Sequence, residues 1–236
     1  YDGDYPVFED GNPNAIAEEM LWSVFNDNGG LHTQTNGTAL KIEVQQTAYL
    51  FSCTNDPLLN KTLFVKHKVI SKSPLAIYDY YYGVWSDFDM GCNNDDYVGT
   101  IPSKNTIYAY NADNNDDNPC GNYLSGYGTN PPVQAMTILN HPLAHSTYHI
   151  NNNGPTGGPS SALGYYNLLS GKFMDGTPLT QGGTGYNPND PNAVPTNYMF
   201  PDNPNNPSGW SMYTENLSGL DQRILGSISK DSLMPG

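Results

Sequence analysis

Residues 40–51, LKIEVQQTAYLF, decide the fold class because side chains alternate in polarity over residues 41–46 and then continue into the run 47–51. A period of two places every second side chain on the same face of a β-strand. Residues 63–70 repeat the alternation, and residues 77–85 (IYDYYYGVW) form a third apolar, Tyr-rich run. Short segments rich in Ser, Asn and Pro separate the three runs, so the pattern predicts three long strands in an antiparallel meander.

The rest of the chain extends this β pattern with shorter elements. Residues 97–101, 106–110 and 133–139 are predicted to be strands, and residues 18–25 form the one segment predicted to be helical. After His149 the sequence becomes rich in Gly, Asn and Pro, which is typical of long loops. No internal repeat or linker divides the chain. The sequence therefore predicts one domain over residues 1–236, an all-β, antiparallel β-sandwich-like fold with long loops.

Composition and charge limit the class of partner. Hydrophobic residues make up 37% of the 236 residues and charged residues 14%, yet 18 Tyr, 7 Phe and 3 Trp argue for a folded chain. The net charge of −14, with Arg223 as the single arginine, leaves no basic patch for nucleic acid or for an anionic membrane surface. No apolar run approaches the roughly 20 residues of a membrane span, so membrane insertion is not expected.

Two short loops concentrate the acidic residues: residues 87–96 (DFDMGCNNDD) and residues 111–117 (NADNNDD). Calcium takes six to eight oxygen ligands from carboxylates, amides and backbone carbonyls, and these loops supply all three kinds. We therefore predict bound Ca²⁺. The candidate ligands are Asp87, Asp89, Asn93, Asp95, Asp96, Asn111, Asp113, Asp116 and Asp117.

The same loops leave a simpler interpretation open. Asp and Asn cap turns by accepting hydrogen bonds from nearby backbone, and they do so without any ion. The EF-hand pattern does not help the calcium interpretation: counted from Asp87, the glycine falls one position early, and Val98 stands where a Glu is required. Calcium is favoured because turn chemistry does not call for adjacent like charges such as Asp95 and Asp96.

The three cysteines suggest an oxidising setting. Cys92 and Cys120 flank the acidic loops, and a disulfide between them would close a loop of about 28 residues, worth ~3 kcal/mol. Cys53 remains and is predicted to be a buried free thiol. The chain begins at Tyr1 without Met, so it is expected to be a mature form or a fragment.

Catalytic patterns are weak. His141, His145 and His149 are spaced by four, but Pro142 interrupts a helix there, and we interpret them as incidental residues of a surface segment. No Gly-x-Ser-x-Gly elbow is present. Two alternatives to a non-catalytic module remain. One is a secreted hydrolase, whether glycosidase or peptidase, and the other is a glycan-binding module that uses exposed Tyr or Trp.

Ten short motifs follow one another as in a known module. They are Gly3-Asp4-Tyr5-Pro6, Ile42-Glu43-Val44-Gln45, residues 84–91 (VWSDFDMG), Asp95-Asp96-Tyr97-Val98-Gly99, Tyr110-Asn111-Ala112-Asp113, Tyr165-Tyr166-Asn167, Asp175-Gly176-Thr177-Pro178, residues 182–186 (GGTGY), Met199-Phe200-Pro201 and Asp221-Gln222-Arg223. In this order they resemble an uncharacterised β-rich module of large Bacteroidota proteins that carry a type IX secretion system sorting domain at the C terminus.

The resemblance implies export, with the protein released or held at the cell surface, and it implies no particular activity. Cys92, Cys120 and the histidine segment depart from the pattern, which would continue beyond Gly236, so the chain is expected to belong to a longer protein. The resulting expectation is a non-catalytic, calcium-stabilised extracellular module that serves adhesion, assembly or display. Its expected partners are other copies of itself, including assembly into a filament, other surface proteins, or glycans.

Overall fold

A computed structural model describes residues 16–116 and 126–236. The strands are β1 (Glu19–Asn26), β2 (Ile42–Leu50), β3 (Phe64–Ser71), β4 (Ile77–Asp87), β5 (Asp96–Ile101), β6 (Thr106–Asn111), β7 (Asn115–Asp116), β8 (Gly128–Thr129), β9 (Gln134–Thr137), β10 (His145–Ile150) and β11 (Gln222–Leu233). Helix α1 covers Ala162–Leu169, and 3-10 turns cover Leu59–Lys61 and Pro102–Lys104. Strand accounts for 38% and helix for 7%, which confirms the prediction of an all-β, antiparallel, sandwich-like fold.

Contacts within the chain define two compact units. The smaller contains the described residues up to Tyr78 together with Asp231–Gly236, and the larger contains Asp79–Lys230. Contact units are not the same as independently folding domains, so the prediction of a single domain stays a prediction.

The smaller unit is a three-stranded sheet in the order β1-β2-β3. β2 pairs antiparallel with β3, as predicted, and β1 pairs antiparallel with the other edge of β2. The helix predicted at residues 18–25 is wrong, because this segment is β1. Its aromatic and β-branched residues fit a pleated surface, and a segment of this length has little helical stability of its own.

The predicted third strand of the meander is also misassigned. β4 lies in the sheet ordered β10-β11-β4, where its neighbour is β11. Asp79 near the start of β4 has a φ of 51°, a left-handed conformation that interrupts the extended backbone. The alternation of side chains does not reveal such a break, so the sequence overestimates the continuity of the meander.

The larger unit is a sandwich of the sheets β10-β11-β4 and β5-β6-β9. Between the sheets, Thr100 Oγ1 lies 2.7 Å from Ser146 Oγ, and Gly226 packs against Ile107. The core between and around the sheets includes Val98, Ile107, Tyr148, Phe200, Met212 and Ile224. On the outer face of the first sheet, α1 covers Thr147 and Ser227, whose hydroxyls donate to Leu168 and Leu169 carbonyls. The part of this outer face near residues 85–87 lies beyond α1.

None of the helices in the described ranges has the length and apolar character that a membrane span requires.

Candidate functional site

The described candidate calcium ligands lie on three segments of the chain. Asp87 and Asp89 lie at the end of β4, where a carboxylate oxygen of each lies within 4.8 Å of one from Asp221. Asp95 and Asp96 stand at the start of β5, and Asn93 lies in the turn before them. Asn111, Asp113 and Asp116 follow along and after β6, and Asp117 lies outside the described residues. Among the described residues, Asp87 and Asp89 are the candidates whose carboxylate oxygens come together with a third carboxylate, that of Asp221.

The candidate ligands after β6 accept hydrogen bonds from backbone N–H groups, as Asp and Asn do in turns. The Asp113 backbone N–H donates to Asn111 Oδ1 at 3.1 Å, and Asn115 N–H donates to Asp113 Oδ1 at 2.7 Å. Asp116 is completely buried and accepts from the backbone N–H groups of Cys92, at 2.9 Å, and Tyr127, at 2.6 Å. These charge-assisted bonds tie Asp116 to the 90–92 loop through Cys92 and to the segment before β8 through Tyr127.

Asp96 has a different environment. Its side chain is 3% exposed, its Oδ2 accepts from Met90 N–H at 3.1 Å, and its Oδ1 has no hydrogen-bond partner. Gln222 is 5% exposed; its Nε2 donates to the Asp96 carbonyl at 2.9 Å, and its Oε1 also lacks a partner. Two buried acceptor oxygens without donors therefore occur on residues that a hydrogen bond joins, from the Gln222 side chain to the Asp96 backbone carbonyl.

The charge of Asp96 is poorly compensated. Burial raises its pKa to about 7, the Met90 N–H opposes this rise, and the negative charges of Asp95, Asp116 and Asp89 add to it. A buried carboxylate is costly unless it is protonated, fully hydrogen-bonded or paired with a cation. The oxygens of Asp96 and Gln222 are ligands of the kind that calcium prefers.

The Asp87–Asp89–Asp221 group already contains a cation. Arg223 Nε lies 3.0 Å from Asp87 Oδ1, and its Nη1 lies 2.7 Å from Asp221 Oδ1. Asn151 Nδ2 donates to Asp221 Oδ2 at 2.7 Å. The guanidinium balances part of the negative charge, which makes this group a weaker candidate for a metal than Asp96. Burial, followed by the charges of Asp87 and Asp221, raises the pKa of Asp89 even so.

Beside this ion-paired group, an exposed indole is held in a fixed position. Trp85 Nε1 donates to His149 Nε2 at 3.0 Å, and the two rings are stacked with centroids 6.4 Å apart. Sequence reasoning did not assign Asp221, Gln222 or Arg223 to a site. The available signal was spacing by two: Trp85 and Asp87 fall on one face of β4, and Asp221, which directly precedes β11, is two residues from Arg223.

The interpretation of the histidines as surface residues is wrong for His149. His145 and His149 lie on β10, and His149 is buried. Desolvation by burial lowers the pKa of both rings, and for His149 the Arg223 charge lowers it further against the opposing charges of Asp87 and Asp221. The spacing by four therefore reflects one face of a strand.

We expect acidification to weaken the fold through His149. Burial, followed by the charge of Arg223, lowers the pKa of His149 below the ordinary 6.5, and a protonated ring would also present an N–H to the Trp85 N–H. The unfolded chain then binds more protons, so this stability is present above pH 6.5 and is lost as the pH falls through the folded-state pKa.

The measurement is the free energy of unfolding in urea between pH 7.5 and pH 5, with Trp fluorescence as the signal. His149→Gln keeps an acceptor for Trp85 and should lose part of the pH slope, whereas His141→Gln should keep it. An identical slope in both variants would contradict the assignment to His149.

The predicted disulfide cannot be placed because Cys120 lies outside the described residues. Cys92 is buried beside the Asp116 anchor, and Cys53 is a free, half-buried cysteine. The pairing of Cys92 with Cys120 stays a prediction.

Comparison with family models, with curated proteins and with solved structures found no match to this chain.

Proposed function

We propose that this chain is a non-catalytic, calcium-stabilised extracellular module of a secreted or surface protein, serving adhesion, assembly or display. The observation that carries the calcium part is the buried Asp96 carboxylate, whose Oδ1 has no hydrogen-bond donor. The extracellular part is supported by the motif resemblance and by a composition that is rich in Tyr, Asn and Gly and carries a net charge of −14.

Calcium fits the Asp96 environment for three reasons. The unpartnered oxygens of Asp96 and Gln222 are acceptors that a cation satisfies directly. The carboxylates of Asp95, Asp116 and Asp89 act electrostatically on Asp96, so the local field is negative. Extracellular modules also need only weak sites, because dissociation constants of roughly 10⁻⁴ to 10⁻³ M suffice for calcium outside the cell.

The rival explanation is a hydrogen bond from Asn111. Asn111 is the strand partner of Asp96, and its buried Nδ2 also lacks a partner. Side chains of directly opposed residues are about 5 Å apart at Cβ, so a change of rotamer would join the two groups. Such a bond would satisfy Asp96 Oδ1 without an ion, and thermal unfolding with and without calcium distinguishes the two cases.

We expect calcium to raise the melting temperature, measured by calorimetry in about 10 mM CaCl₂ against excess EDTA. At ten times the dissociation constant a ligand stabilises by about 1.4 kcal/mol. In a chain of this size that corresponds to roughly 3 to 6 °C. Asp96→Asn keeps the shape and the Met90 bond, so it should melt no lower than wild type in EDTA and gain nothing from calcium.

Asp113→Asn is the matched control, because Asn preserves the turn that Asp113 makes with Asn115 and the calcium effect should remain. Equal melting temperatures in CaCl₂ and EDTA for wild type, with no calcium found by elemental analysis, would refute the calcium part and favour the Asn111 bond.

The assembly part is supported by β1. Among the described strands it stands at the edge of its sheet, and it exposes Leu21 and Phe25. Exposed apolar edges favour pairing with another chain. Sedimentation velocity measures this property directly: monomers at every concentration up to the solubility limit would remove self-assembly from the proposal and leave adhesion or display.

A further inference from the structure

We propose that the outer face around Trp85 is a binding site for neutral glycans. This inference deepens the adhesion part of the proposed function and rests on it. The site lies on three neighbouring strands of the sheet β10-β11-β4 and at their ends, with Trp85 and Asp87 on β4. Asp221 and Arg223 stand at the start of β11, and Asn151 directly follows β10.

The indole is both exposed and fixed. Trp85 is 51% exposed, yet its N–H is bonded to the buried His149 ring and its plane lies at 21° to that ring. A tryptophan held in this way has little conformational freedom left to lose when a ligand covers it. Rigid aromatic side chains with one apolar face open and one polar atom satisfied are typical of binding hot spots.

Planar polar groups next to the indole are also held in place before any ligand arrives. Arg223 forms ion pairs with Asp87 and Asp221, and Asp221 accepts a hydrogen bond from Asn151. These side chains remain partly accessible, with 16% of Arg223 and 26% of Asp87 exposed. They offer donors and acceptors at fixed positions beside an apolar platform. A sugar ring has the matching chemistry, with C–H groups on its faces and hydroxyl groups at its rim.

Charge selects the class of glycan. Asp87, Asp89 and Asp221 carry three negative charges against one positive charge on Arg223. An anionic polysaccharide, such as a uronic acid polymer, would meet like charges on approach, whereas a neutral polysaccharide would not. Gln222, which bonds to the Asp96 backbone, and Arg223 are successive residues of β11 and point to opposite faces of the sheet.

The test is affinity electrophoresis in native gels that contain a neutral β-glucan, mannan or xylan, with alginate as the anionic comparison. We expect at least one neutral polysaccharide to retard the wild-type chain and alginate to have no effect. Trp85→Ala should weaken the retarding interaction by about tenfold or more, as expected for the loss of an aromatic hot spot. Tyr213→Ala removes another exposed aromatic side chain of the larger unit and should bind like wild type.

Trp85→Phe keeps an aromatic platform and should bind with intermediate strength, which provides a second measure if Trp85→Ala is poorly folded. The proposal is overturned if none of the neutral polysaccharides retards the chain, if alginate retards it as strongly, or if Trp85→Ala and Tyr213→Ala behave alike. Running the gels in CaCl₂ and in EDTA separates the two proposals. If wild type shows the calcium-dependent melting shift but binds no glycan, the glycan site alone is refuted. If wild type binds a glycan but shows no calcium-dependent shift, the calcium site alone is refuted.

Discussion

Replacing Gly91 by Ala should lower the free energy of unfolding by about 3 kcal/mol or more, since it breaks a buried charge anchor and strains the backbone. Gly91 has a φ of 63°, which costs an L-residue roughly 1–2 kcal/mol. A Cβ at this position would also stand 1.9 Å from Asp116 Oδ2. Asp116 is fully buried and holds Cys92 and Tyr127 by their backbone N–H groups, so it cannot move aside without losing both bonds.

Gly128→Ala is the matched control for this experiment. Gly128 has a similar φ of 69°, but nothing lies within 4 Å of a Cβ built on it. It should therefore show the backbone cost alone, about 1–2 kcal/mol. Urea denaturation of both variants measures the difference. Equal destabilisation would show that Asp116 does not anchor the loop as described.

Strands β2 and β3 were predictable because their signal is local. Residues 42–46 alternate, residues 47–51 and 63–70 are rich in apolar side chains, and β2 and β3 occupy these positions and pair with each other. The first acidic loop was also located correctly, between β4 and β5, whereas the second contains the short strand β7. In these segments, side-chain periodicity and turn chemistry are properties of a few consecutive residues, so the sequence alone carries them.

Pairing between distant segments was not predictable in the same way. β4 neighbours β11, which lies far along the chain, and Asp221 reaches Asp87 only because these two strands are adjacent. No periodicity within a segment encodes its partner at such a separation. Helix α1 was missed for a local reason: Ser161 caps it through Gly164 N–H, but the Gly- and Pro-rich context concealed that signal.

The set of candidate ligands shows the limit of reasoning from residue type. Asp113, Asp116 and Asp96 are chemically alike, yet their oxygens have different partners. The first two accept backbone N–H groups, while Asp96 keeps one buried oxygen without a donor. Which carboxylates cap turns and which remain free for an ion depends on the backbone that surrounds each one. The sequence can thus identify the candidate ligands, but it cannot tell which carboxylates cap turns and which has an oxygen without a donor.

The core of the larger unit should depend strongly on Phe200, and Phe200→Ala should cost about 3–5 kcal/mol. Phe200 is completely buried, and its ring centroid lies 5.6 Å from that of Tyr148 and 5.2 Å from that of Trp210. Its carbonyl accepts from Thr100 N–H at 3.1 Å, so the backbone is held against β5 and cannot readily collapse into the cavity. If the cavity stays open, the loss of free energy of unfolding should lie toward the upper end of this range.

The thermal measurement should show a fall in melting temperature of roughly 10 °C for Phe200→Ala, with loss of near-ultraviolet dichroism from the Tyr148 and Trp210 rings. Phe200→Leu retains most of the volume and should cost less than about half as much. Leu139→Ala, at a side chain that is 70% exposed, should change stability by no more than about 0.5 kcal/mol. Removing a buried ring from a closed core leaves either a cavity or a rearranged core, and both are destabilising. If Phe200→Ala proved as mild as Leu139→Ala, Phe200 could not be packed between Tyr148 and Trp210.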